Sequence, residues 1–298
     1  MRSIPLFIMF CLLTYGASTS HAEEPRKDYD QPKHPKHLNI AVIDWTHAET
    51  LLALGVQPIA MAKKAGYKSW VNEPKVPDEV IDIGLRTQPN MELLSELKPD
   101  RILVSPMFHN LEPLLSRIAP VSNIGLYKKG NVSWDSIKEA TYAIAREANA
   151  DEAADTLTSS AEHLFNQLSK QVPNNTPPLL MVQFMDSQHV RVFGNNSLYK
   201  TAANQIGLQS AWTENTNSWG FSLVGMDQLM NIKGQILVVK PYPTGAEKHL
   251  KENRFWQHLI QRSGHPLLEI DPVWSFGAIP SAMRFASLLT EKLNEGNK

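Results

Sequence analysis

IDIGLRTQPNMELLSELKPDRILVSPMFHNLEPLLSRIAP, residues 81–120, reads as two successive strand–helix units. A short apolar strand ending at Ile83 stops at Gly84, and the loop after it carries Arg86. Pro89 and Asn90 then open a helix in which Met91, Leu93, Leu94 and Leu97 are spaced for burial. Lys98, Pro99 and Asp100 end that helix. A second apolar strand covers 101–104, a loop over 105–110 holds Phe108 and His109, and a second helix runs from near Leu111 to Pro120. Repetition of this kind predicts a parallel α/β layer. Loops at the carboxyl ends of its strands gather on one edge, where ligands bind. Arg86 in one such loop with an aromatic in the next is a site-like arrangement. The residues alone also allow Arg86 to cap a surface turn.

The alternation continues on both sides. Upstream, a strand over 39–43 leads to Thr46, read as an N-cap with Glu49 completing a capping box. The helix 47–54 ends at Gly55, suited to a left-handed cap. A short strand at 57–60 and a loop over 65–77 with Tyr67 and Trp70 complete this part. Downstream, helices are predicted at 133–148 and 151–172, the second about 33 Å long. Pro173, Pro177 and Pro178 stop it. A second block then begins. It has strands at 179–184, 190–193, 235–239 and 267–270, and helices at 198–206, 254–260 and 280–293. A polar loop at 215–220 and a short helical piece at 227–230 lie between. The expected fold is α/β with two lobes, 39–150 and 174–298, joined by a single long helix over 151–173, with a small cleft between the lobes.

Residues 1–22 read as a secretory signal peptide: Arg2, an apolar core over 4–13, and Ser20-His21-Ala22 at a small-x-small cleavage site. Residues 23–38, charged and proline-rich, read as a flexible leader. The single cysteine, Cys11, lies inside the signal, so the expected mature protein has neither a disulfide nor a thiolate nucleophile. Basic and acidic residues number 29 and 30 and are interspersed, which argues against a nucleic-acid partner. The expected location is the periplasm of a Gram-negative bacterium, and the expected state is a monomer.

Catalytic patterns are absent from the sequence. There is no G-x-S-x-G elbow, no P-loop and no full Rossmann fingerprint, and the histidines are scattered. Neither catalytic residues nor metal ligands are assigned. Four of the seven tryptophans, Trp45, Trp70, Trp219 and Trp274, instead fall in loops or at strand ends. A large ring there buries against a neighbour or binds something. With Phe108, Tyr67 and Phe276 alongside, these positions favour an aromatic-lined cleft.

The segments WTHAETLLALG (45–55), WVNEP (70–74), DIGLRTQPN (82–90), RIAP (117–120), FGNNS (193–197), WG (219–220) and VWSFG (273–277) together resemble periplasmic ferric hydroxamate siderophore-binding proteins of ATP-binding-cassette iron importers. The resemblance implies two α/β lobes joined by one long helix. It implies a ligand, a ferric siderophore whose iron the siderophore itself chelates, with no cofactor of the protein's own. It implies that Arg86 donates hydrogen bonds to hydroxamate oxygens. Trp45, Trp70, Phe108, Trp219, Trp274 and Phe276 would line the cleft, with Phe108 and Phe276 standing where the family has tyrosines. It further implies an inner-membrane permease partner that contacts one acidic residue on each lobe: Glu112 on the first, Asp227 on the second, with Glu49 as an alternative on the first. A catecholate or citrate-type siderophore, haem or a corrinoid on the same fold, or an exported α/β enzyme, remain alternatives.

Overall fold

The computed structural model describes residues 38–127 and 132–295. The signal peptide at 1–22 and the leader apart from Leu38 lie outside them.

The N-terminal lobe comprises β1 (Ile40–Val42), α1 (Trp45–Ala53), β2 (Ala60–Met61), α2 (Lys64–Trp70), β3 (Ile81–Asp82), β4 (Gly84–Leu85), β5 (Gln88–Pro89), α3 (Met91–Glu96), β6 (Arg101–Val104), α4 (Glu112–Leu115) and β7 (Val121–Asn123). A 3-10 helix, Pro106–Leu111, precedes α4. The sheet order is β3-β2-β1-β6-β7, and every pairing is parallel. Alternation along β1 sends Ile40 and Val42 into one core and Ala41 and Ile43 into the other. The chain winds outward from β1 to β3 and then returns beside β1 as β6. The topological switch point therefore lies between the carboxyl ends of β1 and β6, where open α/β sheets bind ligands.

Two helices follow, α5 (Trp134–Glu147) and α6 (Asp151–Ser169). Ser133 caps α5, and Ser136 completes its capping box. The C-terminal lobe holds β8 (Leu179–Phe184), β9 (His189–Phe193), α7 (Leu198–Gln205), β10 (Phe221–Gly225), β11 (Gln235–Val239), α8 (Ala246–Glu252), α9 (Arg254–Ser263), β12 (Leu268–Ile270) and α10 (Ile279–Glu295). Its order is β10-β9-β8-β11-β12. The β8, β11 and β12 pairings are parallel, whereas β8–β9 and β9–β10 are antiparallel.

Six local expectations change. Asp44, not Thr46, caps α1, accepting from the Thr46 N–H at 2.8 Å. Glu49 takes no part in a capping box. Residues 64–70 form α2 rather than a loop. The Arg86 loop is the two-residue tip of the β4–β5 hairpin. The strand β10 and the helix α8 were not expected. The connection between lobes also differs from a single helix. Both α6 and α10 span the lobes, and Val273 and Trp274 pack into the cores of opposite lobes.

Candidate functional site

The site is built at the switch point. Asp44 ends the β1 segment and Ser105 follows β6. The Ser105 hydroxyl donates to Asp44 Oδ2 at 2.7 Å, tying the two strand ends together. Burial opposes ionisation of Asp44, but the His47 imidazole, Ser105, the Thr46 N–H and Arg86 outweigh it and hold the carboxyl below its ordinary value. Burial also depresses His47, against the pull of Asp44. Its Nε2 meets the Ile124 carbonyl at 2.9 Å, while Nδ1 is buried without a partner.

Arg86 reaches this place from the hairpin tip. Asp82 fixes the hairpin's base, accepting from the N–H groups of Gly84 at 2.9 Å and of Lys63 and Lys64 at 3.0 Å. Gly84 supplies the left-handed φ of +83°. The guanidinium carbon then lies 3.9 Å from the Trp45 ring centroid and 5.5 Å from those of Phe108 and Trp274. Burial lowers the basicity of Arg86, and Asp44 counters it. Its Nη1 is buried with no hydrogen-bond partner.

A cavity of about 190 Å³ opens over these groups. Asp44, His47, Ser105 and Arg86 give it a polar floor. Met107, Tyr127, Trp219, Trp274 and Phe276 wall it. The rings contact one another edge-on or tilted: Trp274–Phe276 at 5.1 Å, Tyr127–Trp219 at 5.5 Å and Trp219–Phe276 at 5.8 Å. The seam beneath is hydrogen-bonded. Thr46 Oγ1 donates to the Phe276 carbonyl at 2.8 Å and accepts from Trp274 Nε1 at 3.1 Å. Tyr127 Oη donates to the Ser275 carbonyl at 3.1 Å. Among the described residues, no three or more His, Cys, Asp or Glu side chains group to hold a metal ion.

Arg86, Trp219, Trp274 and Phe276 are thus brought together on the cavity, with Trp45 as the plate beneath Arg86. Trp70 is not; it packs half-buried on the core of the N-terminal lobe. Phe108 is only 3% exposed and sits in the opposite core, so it backs Arg86 rather than walling the cavity. Asp227 is exposed, and Glu112 is half-buried with its carboxylate held by the Asn123 amide. Glu49 is 0% exposed and cannot meet a partner protein. It accepts instead from the Ala278 N–H at 2.6 Å and from the Ser281 hydroxyl. Asp44, His47, Ser105 and Tyr127 were not singled out. Their shared signal was position, in the turns and the first helical turn that follow β1, β6 and β7.

Comparison with known proteins agrees with this geometry. Residues 40–260 match the family model described as periplasmic binding protein. The chain is 32% identical over 253 residues to the iron(3+)-hydroxamate-binding protein FhuD of Escherichia coli, covering 84% of this chain and 85% of that one. It is 28% identical over 176 residues to the achromobactin-binding periplasmic protein of Dickeya dadantii, covering 56% and 53%. The crystal structure of the siderophore-binding protein FhuD of Vibrio cholerae with Fe3+-Desferal superposes with a TM-score of 0.81 at 27% identity, over 86% of this chain and 98% of that one. The chain belongs to the periplasmic binding protein family, as a binding protein rather than an enzyme.

Proposed function

We propose that this protein captures ferric hydroxamate siderophores in the periplasm and delivers them, as a monomer, to an inner-membrane ABC permease. The observation that carries this reading is the buried, unpartnered Nη1 of Arg86 at a cavity walled by aromatic rings. In a ferric trihydroxamate, six ligand oxygens already fill the iron shell. The protein then needs donors for the outer faces of those oxygens and flat apolar walls for the organic backbone. A guanidinium bridges two closely spaced oxygens, which lysine does poorly. The names of the Escherichia coli and Vibrio cholerae relatives support the same ligand class. The binding set is Arg86 with Trp45, Trp219, Trp274 and Phe276, between lobes at 39–150 and 174–298 flanking 151–173. Glu112 and Asp227 are the permease contacts.

Titration of tryptophan fluorescence with ferrichrome tests the reading. Arg86→Ala is expected to weaken binding by roughly 10- to 100-fold, the scale of one or two charge-assisted hydrogen bonds. Arg86→Lys should recover only part of it. An unchanged dissociation constant in R86A sinks the assignment.

A further inference from the structure

A second arginine stands on the other side of the aromatic wall. Arg191 is the middle residue of β9. The antiparallel register sets Gln183 of β8 opposite it on one side and Leu223 of β10 on the other. Directly opposed residues share a sheet face, so the three side chains form one row. The row runs from Gln183, 1% exposed, to Leu223, 60% exposed. Arg191 therefore lies between the interior of the lobe and open solvent. Its guanidinium carbon is 4.7 Å from the Phe221 ring and 5.7 Å from that of Phe276, which walls the cavity.

The charge of Arg191 has no carboxylate counterpart among the described residues. Only burial, which lowers its basicity, and the neutral Tyr199 phenol bear on its titration. Gln183 beside it carries an amide whose nitrogen and oxygen are both buried and unbonded. Aromatic faces compensate a guanidinium only in part. Arg86, by contrast, has Asp44 nearby.

A ferric trihydroxamate is neutral, because three hydroxamate charges cancel Fe3+. It offers Arg191 no counter-charge. A chelate that keeps hydroxamate groups for iron but bears free carboxylates at its periphery does offer one, and carboxylate is the bidentate partner of guanidinium. The cavity is also smaller than the several hundred Å³ usual for pockets that enclose organic ligands. The periphery of a chelate must extend past its walls, and Arg191 lies one ring beyond Phe276.

We propose that Arg191 is a specificity-determining residue of the C-terminal lobe, binding a peripheral carboxylate and ranking carboxylate-bearing ferric hydroxamates above neutral ones, a role that rests on the hydroxamate reading of the site. Two ferric probes test it by fluorescence titration: ferrichrome, and a citrate-based dihydroxamate with free carboxylates. Arg191→Gln should weaken the carboxylate-bearing probe at least tenfold and ferrichrome less than twofold. Arg191→Lys, which keeps the charge, should recover part of the loss and provides the comparison if R191Q folds poorly. Added salt should weaken only the carboxylate-bearing probe in the wild type. Equal effects of R191Q on the two probes, or none on either, overturn the role of Arg191 and leave the hydroxamate reading standing. Failure of the wild type to bind either probe overturns both.

Discussion

The ring beneath Arg86 depends on a neighbour that has no side chain at all. A Cβ on Gly66 would lie 2.6 and 2.8 Å from two carbons of the Trp45 indole, the ring over which the Arg86 guanidinium lies. The indole is fixed besides by Nε1 donating to the Ala62 carbonyl at 3.0 Å. Gly66→Ala should therefore displace the ring, at a cost of about 1–3 kcal/mol in stability, and weaken ligand binding with it. Urea denaturation and titration of the same variant check this, and an unperturbed G66A in both would show that the ring has slack. At this scale the sequence was partly legible. Arg86 was legible from its place in a loop after a short apolar strand and from the family resemblance of its segment, whereas the hairpin that Asp82 and Gly84 build was not. Asp44 and Ser105 stayed unseen because their partnership crosses 61 residues of chain.

At the level of elements, α1 joins the lobes through a buried acid. Burial raises the carboxyl of Glu49 to about 8, against the lowering effects of its bonds from Ser281 and the Ala278 N–H. The folded state thus holds a proton that the unfolded chain, at the ordinary 4.5, releases. Stability should fall as pH rises from 4.5 to about 8 and level off above that, by at most on the order of 5 kcal/mol from this group. Asp44 acts in the opposite sense, since its lowered value makes stability fall as the medium turns acidic. Glu49→Gln, which stays neutral, should flatten the alkaline decline in urea midpoints measured from pH 5 to 8.5. A slope identical to wild type would place the effect elsewhere. Thr46 and Glu49 had the spacing of a capping box, yet both side chains reach residues more than 220 positions away. Local capping rules carry no information about such partners. The helix α2 was missed for a related reason: Gly66 weakens its propensity, and burial of Tyr67 against the lobe core restores it.

For the whole molecule, an α/β fold with two lobes was legible from periodicity. The second connection was not. Nothing local in 273–281 says that it packs on the first lobe, because its partners lie at the other end of the chain. The lobes carry the two acids proposed for docking, Glu112 at the start of α4 and Asp227 in the 3-10 helix after β10. Glu112→Lys and Asp227→Lys should each lower uptake of the ferric chelate by whole cells several-fold while changing its dissociation constant less than twofold. Loss of affinity in either variant would assign that residue to the ligand instead.

The return of Trp274 to the first lobe also sets an order of events. Trp45, Thr46 and Glu49 each take a partner from residues 274–281. A chain emerging from a translocation channel amino end first completes β1 to β7 long before those residues arrive. Until then the inner face of α1 is wet, and its buried acid is an ordinary exposed carboxylate. The first lobe is thus finished by a segment that emerges well after its own strands, so the binding floor matures only once residues 274–281 are out.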